Sequence, residues 1–466
     1  MTILLPLVSA LLLCAPEAAR TPASVVNFGH LNHLTERIAF GGDSVAIVHI
    51  YANYPGYEWI SANESGPEGI ACVDDAARAA VVYLRHWELR RDTTSRERGR
   101  ELLKFVRAMQ SDDGEFCNFI LGDHRINTTG GTSRKSFGWW AGRGVWSMAL
   151  GYRMFRTADP AFAARLRRGV DRALPHVDTL LERYGQSTNV HGCIIPRWLL
   201  YESGADASSE LALGLIEYYH ATGDLRVKGM IEKLARGFMM MQQGDAAAFP
   251  FGLHRSWETL WHMWGNSQSD VLARAGSLFA DTAMIASAER EAVGFYPRLL
   301  IDGLKKEINI AAPGEEKTYE QIAYGIRPAT LALLRLYDAT HKREYLTMAG
   351  LYASWFFGNN ALGVPMYDPA SGRCFDGISD SVTLNRNSGA ESTVEALLTL
   401  TELEQYPQAM RFLHCRKSAH GQHGADLYAI FSDGVAGNVV LVLDTRRSAV
   451  RILQGNDAAL YRKEVQ

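Results

Sequence analysis

Cysteine is scarce in this sequence and never falls in a pattern that carries chemistry. Cys14, Cys72, Cys117, Cys193, Cys374 and Cys415 stand apart, with no CxxC pair and no metal-ligand spacing. That argues against a disulfide framework and a zinc site, and neither a metal nor a cofactor is expected. An excess of positive charge is also missing: 48 Lys and Arg face 51 Asp and Glu, for a net charge of -3. A nucleic-acid footprint and a basic membrane-binding face are therefore absent. Long apolar runs are confined to the N-terminus, MTILLPLVSALLLCAPEAARTPA. Its apolar stretch, residues 3–15, is too short to span a bilayer and reads as a secretory signal peptide over residues 1–23. The expected setting is the periplasm or the exterior of a bacterium.

What is present is ample core material, 47% hydrophobic residues in a chain of 466, and a repeating pattern. From about residue 72 to 405, a loop rich in Gly, Trp and polar residues leads into a small-residue apolar helix. A short turn and a more highly charged helix follow. The first pair covers 72–90 and 96–110. The others are 142–156 with 160–183, 207–221 with 224–242, 267–289 with 291–306, and 321–339 with 343–357. A sixth opens at 389 with GAESTVEALLTLTELE, and its second member looks short or missing. Apolar residues recur at helical spacing in the first members, as at Leu331, Leu333, Leu334 and Leu336. The charged second members suit an outer layer.

Six consecutive helical hairpins predict an all-α fold, an (α/α)6 toroid of an inner and an outer ring over residues 66–410. Residues 24–65 read as a strand and loop segment. Residues 411–466 read as a small β-rich appendage, against which the N-terminal strand could pack.

If the ring forms, the loops entering the six inner helices open on one funnel. The first carries Asp74 and Asp75, and the second Trp139, Trp140 and Arg143. The third carries Ser208, Ser209 and Glu210, and the fourth Trp261, His262, Trp264, Asn266, Gln268 and Asp270. The fifth has Tyr324 and Arg327, and the sixth Asp376, Asn385, Asn387 and Glu391. Indole faces stack on sugar C–H surfaces, while carboxylates and amides satisfy hydroxyls, so a carbohydrate is the expected partner. Glycoside hydrolysis needs one carboxyl to protonate the leaving oxygen and another to activate water or attack. Asp74 or Asp75 and Glu391 are the candidates for that pair. Arg78, Trp139, Trp140, Arg143, Trp264, Asn266, Arg327, Asp376, Asn385 and Asn387 are the candidate substrate contacts. Each carboxylate also has a plain structural reading. Asp74 and Asp75 could cap a helix with Arg78 one turn on, and Glu391 suits any first turn.

Two segments resemble a known module. GIACVDDAARAAVVYL is similar to its GIxxxDDxARAL segment. WFFGNNALGVPMYDPASGRCFDGISDSVTLNRNSGAESTVEALL is similar to its FGxNxxGxxxYDPxTGGCxDG segment leading to NxNQGAEST. The module is an (α/α)6, six-hairpin glycosidase-like toroid found fused to bacterial glycosyltransferases and in exported carbohydrate-active proteins. The resemblance spans roughly residues 65–405. It implies the toroid, a carbohydrate setting, and a motif role for Asp74, Asp75, Arg78, Asp376 and Glu391. The chain departs from it in two places. Gly138, Trp139 and Trp140 stand where the module has an acidic pair, and Ser388 replaces a Gln. The leading expectation is a glycoside hydrolase, inverting and with two carboxylates. A polysaccharide lyase using Tyr324, Arg327, His262 or Asn266, a sugar epimerase, and a non-catalytic carbohydrate-binding toroid are the alternatives.

Overall fold

A computed structural model describes residues 24–432, 438–458 and 460–461. The segment read as a signal peptide lies outside the described residues.

Helices dominate and come in pairs. They are α1 Val73–Arg90 with α2 Thr93–Ala108, α3 Trp139–Ala158 with α4 Pro160–Leu181, and α5 Ala205–Thr222 with α6 Leu225–Met240. Then follow α7 Gln268–Phe279 with α8 Thr282–Gly294, α9 Ala323–Thr340 with α10 Arg343–Ala353, and α11 Ala390–Leu403 with the single turn α12 Pro407–Met410. Each first member packs on its partner. The first members also contact one another in sequence, α1 to α3 to α5 to α7 to α9 to α11, and α11 returns to α1. The six inner helices therefore form a closed cycle. The fourth pair differs from the sequence reading. Its first helix stops at Phe279 because Ala280 turns left-handed (φ 56°) and Asp281 caps the next helix. An expected break near residue 290 thus moves forward by about ten residues.

The two ends of the hairpins are built differently. Outer helices α2, α4, α6 and α8 each start on an aspartate, Asp92, Asp159, Asp224 and Asp281, whose carboxylate accepts first-turn N–H bonds. Inner helices α3, α5, α7, α9 and α11 have no side-chain cap. On α1 the cap is Cys72, whose Sγ accepts from Asp75 N. Asp74 and Asp75 are thus first-turn residues and not caps.

Small residues let the inner helices approach. A Cβ built on Gly214 of α5 would lie 2.7 Å from the backbone N and Cα of Trp146 on α3, closer than packing allows. The ring interior is polar in layers. Below the N-terminal ends, Arg85 pairs with Glu88 and Glu402, Arg153 with Glu88 and Glu217, and Arg335 with Glu402, tying α1, α3, α5, α9 and α11 together.

Strands are more numerous than a small appendage implies. Hairpin β1 Thr35–Phe40 with β2 Asp43–Val48 packs on α2, and two-stranded ribbons occur in the loops between helices. One four-stranded antiparallel sheet follows the helices: β3 Arg416–His423, β4 Asp426–Ser432, β5 Asn438–Asp444 and β6 Ala449–Gln454. Alternation along β4 and β5 gives it two buried faces. Ala429, Phe431, Leu441 and Leu443 join the main core, while Tyr428, Ile430, Val440 and Val442 pack under Ala458 and Tyr461. The N-terminal strand pairs within its own hairpin and, among the described residues, joins no ladder of this sheet.

Replacing Gly214 with Ala is expected to force α5 off α3 at a cost of about 1–3 kcal/mol, visible as a lowered melting temperature.

Candidate active site

The N-terminal turns of the inner helices meet in one charged cluster. Arg78 of α1 is 2% exposed. It bonds Asp75 at 2.7 Å, Glu395 of α11 at 2.8 Å and Glu391 at 3.3 Å. Arg327 of α9, fully buried, pairs with Glu395 and, at 2.7 Å, with Glu210 of α5. Ser267, preceding α7, donates to the same Glu210 oxygen at 2.9 Å. Arg143 of α3 pairs with Asp74, bonds the Tyr324 hydroxyl and approaches Glu210 at 3.9 Å. Five inner helices contribute to this cluster, and the residue that precedes α7 completes it.

Three guanidiniums (Arg78, Arg143, Arg327) face five carboxyls (Asp74, Asp75, Glu210, Glu391, Glu395). The negative groups outnumber the positive, and the imbalance is unevenly shared. Burial opposes the charged form of Glu210, but Arg327 and Arg143 outweigh it and hold that carboxyl below the usual range. At Asp75 and Glu391 removal from water wins over Arg78, and both carboxyls are raised.

Above the cluster opens a cavity of about 370 Å³, lined by Trp139, Arg143, Trp264, Lys306, Glu320, Ile322, Tyr324 and Glu391. Glu391 is the clustered carboxyl that most clearly reaches it, with 46% of its side chain exposed. Asp74 is 23% exposed, against Arg143. Asp75 is 4% exposed, its oxygens taken by Arg78 and the Cys72 thiol. Trp139 forms one wall, with the Arg143 guanidinium 5.0 Å over its ring. Trp264 forms another and stacks on His262 at 3.9 Å. His262 is itself held through Nε2 by Asp206 at 2.8 Å. Gly265, at φ 70°, makes this wall possible, because a Cβ there would lie 2.8 Å from Trp139 and 2.9 Å from the Tyr324 hydroxyl.

Other sequence candidates stand behind the cavity. Trp140 is the second residue of α3, its indole donating to Phe116 O at 2.9 Å. Asn266 is buried, accepts from Ser256 and Gln268 and donates to His262 O. Arg78 and Arg327 are enclosed in the ion cluster. Asn385 and Asn387 shape the chain before α11: Asn385 Oδ1 accepts from Asn387 N at 3.1 Å, and Asn387 Oδ1 from Tyr54 N at 3.0 Å. Asp376 accepts from Gly389 N at 2.8 Å and Ser392 Oγ at 2.7 Å, which fixes the start of α11. Burial pushes its carboxyl up to about 6. Sequence reasoning passed over Lys306 and Glu320. They lie between helices in ordinary loop sequence, and no local motif marks them.

No family model matches this sequence, and no curated protein matches it. Solved structures do resemble the fold. A cellobiose 2-epimerase from Bacillus thermoamylovorans B4167 superposes with a TM-score of 0.56 at 11% identity, covering 82% of this chain and 96% of that one. A cellobiose 2-epimerase from Spirochaeta thermophila DSM 6192 gives 0.54 at 12%, covering 82% and 94%. A D-mannose isomerase gives 0.53 at 10%, covering 77% and 91%. At such identities the likeness is one of fold, the helical-hairpin ring of (α/α)6 enzymes.

Two outcomes follow from the cluster. Arg327→Met strands Glu210 and Glu395 and is expected to cost about 3–5 kcal/mol, with adding Glu395→Gln recovering part of the loss in thermal unfolding. Asp376 is raised in the fold, so its contribution to stability is present at acidic pH and fades as pH rises through about 6. Asp376→Asn should therefore show less gain in melting temperature than the parent on acidification from neutrality.

Proposed function

We propose that this protein is a glycoside hydrolase on an (α/α)6 toroid, acting on an oligo- or polysaccharide outside the cytoplasm. The carrying observation is Glu391, a half-exposed carboxyl raised by its surroundings, on a cavity walled by Trp139 and Trp264. A sugar ring stacked on either indole would bring its glycosidic oxygen within reach of that carboxyl. A carboxyl whose proton affinity is raised is better suited to protonate a departing oxygen. The second carboxyl is Asp74 and not Asp75. Asp74 is the partly exposed member of the pair and has the Arg143 guanidinium to stabilise its charge, whereas Asp75 is sealed behind Arg78. Asp74 and Glu391 stand on α1 and α11, neighbours in the closed helix cycle, and an inverting reaction would place water between the two carboxyls. The export component of the proposal rests on the apolar N-terminus alone.

One observation points to a lyase: Tyr324 and Arg143 are hydrogen-bonded at the cavity, as a tyrosine base and a carboxylate-neutralising arginine would be. Burial argues against that role. It raises the phenol strongly despite Arg143, and a base for proton abstraction needs the opposite shift.

A panel of glycans incubated with the protein and analysed by mass spectrometry tests the reading. Cleaved products gaining one water are expected, and Glu391→Gln and Asp74→Asn should each lose roughly a hundredfold or more in rate. Products absorbing as unsaturated uronates, or isomers of unchanged mass, would replace hydrolysis with elimination or epimerisation.

A further inference from the structure

A second cavity, larger than the first, lies between the α9–α10 hairpin and the C-terminal sheet. It encloses about 510 Å³, within the range of small-molecule sites of about 300–1,000 Å³. Its walls are mixed: Leu300, Ile326, Tyr352 and Trp355 form an apolar side, and Asp302, Lys305 and Asn359 bring polar groups. Two consecutive cations of β3, Arg416 and Lys417, also line it. Neither forms an ion pair among the described residues. The Lys417 ammonium donates to the carbonyls of Ile301 at 2.8 Å and Leu300 at 3.3 Å, at the end of the helical turn Tyr296–Asp302. Arg416 donates to Gly363 O at 3.1 Å. Burial works against the Lys417 charge, with Asp302 only partly offsetting it. A half-buried cation bonded to carbonyls alone has attraction left over for an anion.

This cavity is not an extension of the funnel. Residues 318–322 form a wall between the two. Thr318, Tyr319 and Gln321 line the second cavity, while Glu320 and Ile322 line the first. Gln321 exchanges two backbone hydrogen bonds with Ile378, at 3.0 and 2.9 Å, which fixes the wall.

We infer that the second cavity binds a small anionic molecule whose carboxylate or phosphate monoester meets Arg416 and Lys417. Its ring-sized body would lie against Tyr352 and the apolar wall, as that of a sugar acid or sugar phosphate would. The inference goes beyond the proposed hydrolysis and does not depend on it.

Calorimetric titration of the full chain with D-glucuronate, D-glucose 6-phosphate and D-glucose tests it. One or both anions should bind and glucose should not; which anion binds tells carboxylate from phosphate. Lys417→Met and Arg416→Gln should each weaken binding by roughly tenfold, the loss of one charged hydrogen bond, while Glu391→Gln in the funnel leaves it unchanged. If Lys417→Met melts abnormally, Arg416→Gln decides alone. No anion binding at millimolar concentration, binding indifferent to both β3 substitutions, or binding lost in Glu391→Gln would overturn the inference.

Discussion

The arginine–carboxylate cluster at the axis is the interaction on which the rest of this structure depends. Arg78, Arg143 and Arg327 occupy the N-terminal ends of three inner helices and reach carboxylates on three. Burying so many charges is costly unless each is met by a partner, and here every pair but Arg78–Asp75 joins two different helices. The cycle of six helices and the charge pairing thus require one another. The carboxylates outnumber the guanidiniums, and of the two carboxyls raised by removal from water, Asp75 and Glu391, one lines the cavity. Glu391 is that group, and its proton affinity is a by-product of how the ring is held shut.

The walls above the cluster show the same economy of support. Trp264 is stacked on an imidazole that a buried aspartate holds in place, and Trp139 has a guanidinium across its face. Neither indole has to be ordered by a ligand. A rigid aromatic surface loses little entropy when a sugar settles on it, so affinity there can come from stacking and the few polar groups that face the cavity.

The helical part of the fold was legible because each inner helix repeats a small-residue apolar pattern and each outer helix a charged one. Five of the six helix pairs start and stop near their expected positions. The fourth does not, since Ala280 in a left-handed conformation is no ordinary helix terminator in sequence. The site was legible at helix starts, where Asp74, Tyr324 and Glu391 fall in the first turns and Arg143 in the second. It was not legible in the direction side chains take. Asp74 and Asp75 are adjacent and alike, yet one stays partly exposed against Arg143 and the other is buried against Arg78, because successive helical residues point about 100° apart. Arg78 and Arg327 carry the charge of ligand-binding residues and spend it inside the protein. Lys306 and Glu320 come from between helices, and only tertiary folding brings them to the cavity.

The unequal capping of the hairpins has a consequence for how this chain can change. Aspartates start four of the outer helices, α2, α4, α6 and α8, with their own side chains, so those turns carry their own caps. The inner helices leave their first N–H groups for whatever the loops or a bound molecule supply. Rewriting a funnel-side loop therefore also changes what meets the start of the helix it enters, as Asp376 does for α11, while the self-capped turns on the opposite side keep the architecture. New specificities would be expected to arise on one side of the ring and to leave the other untouched.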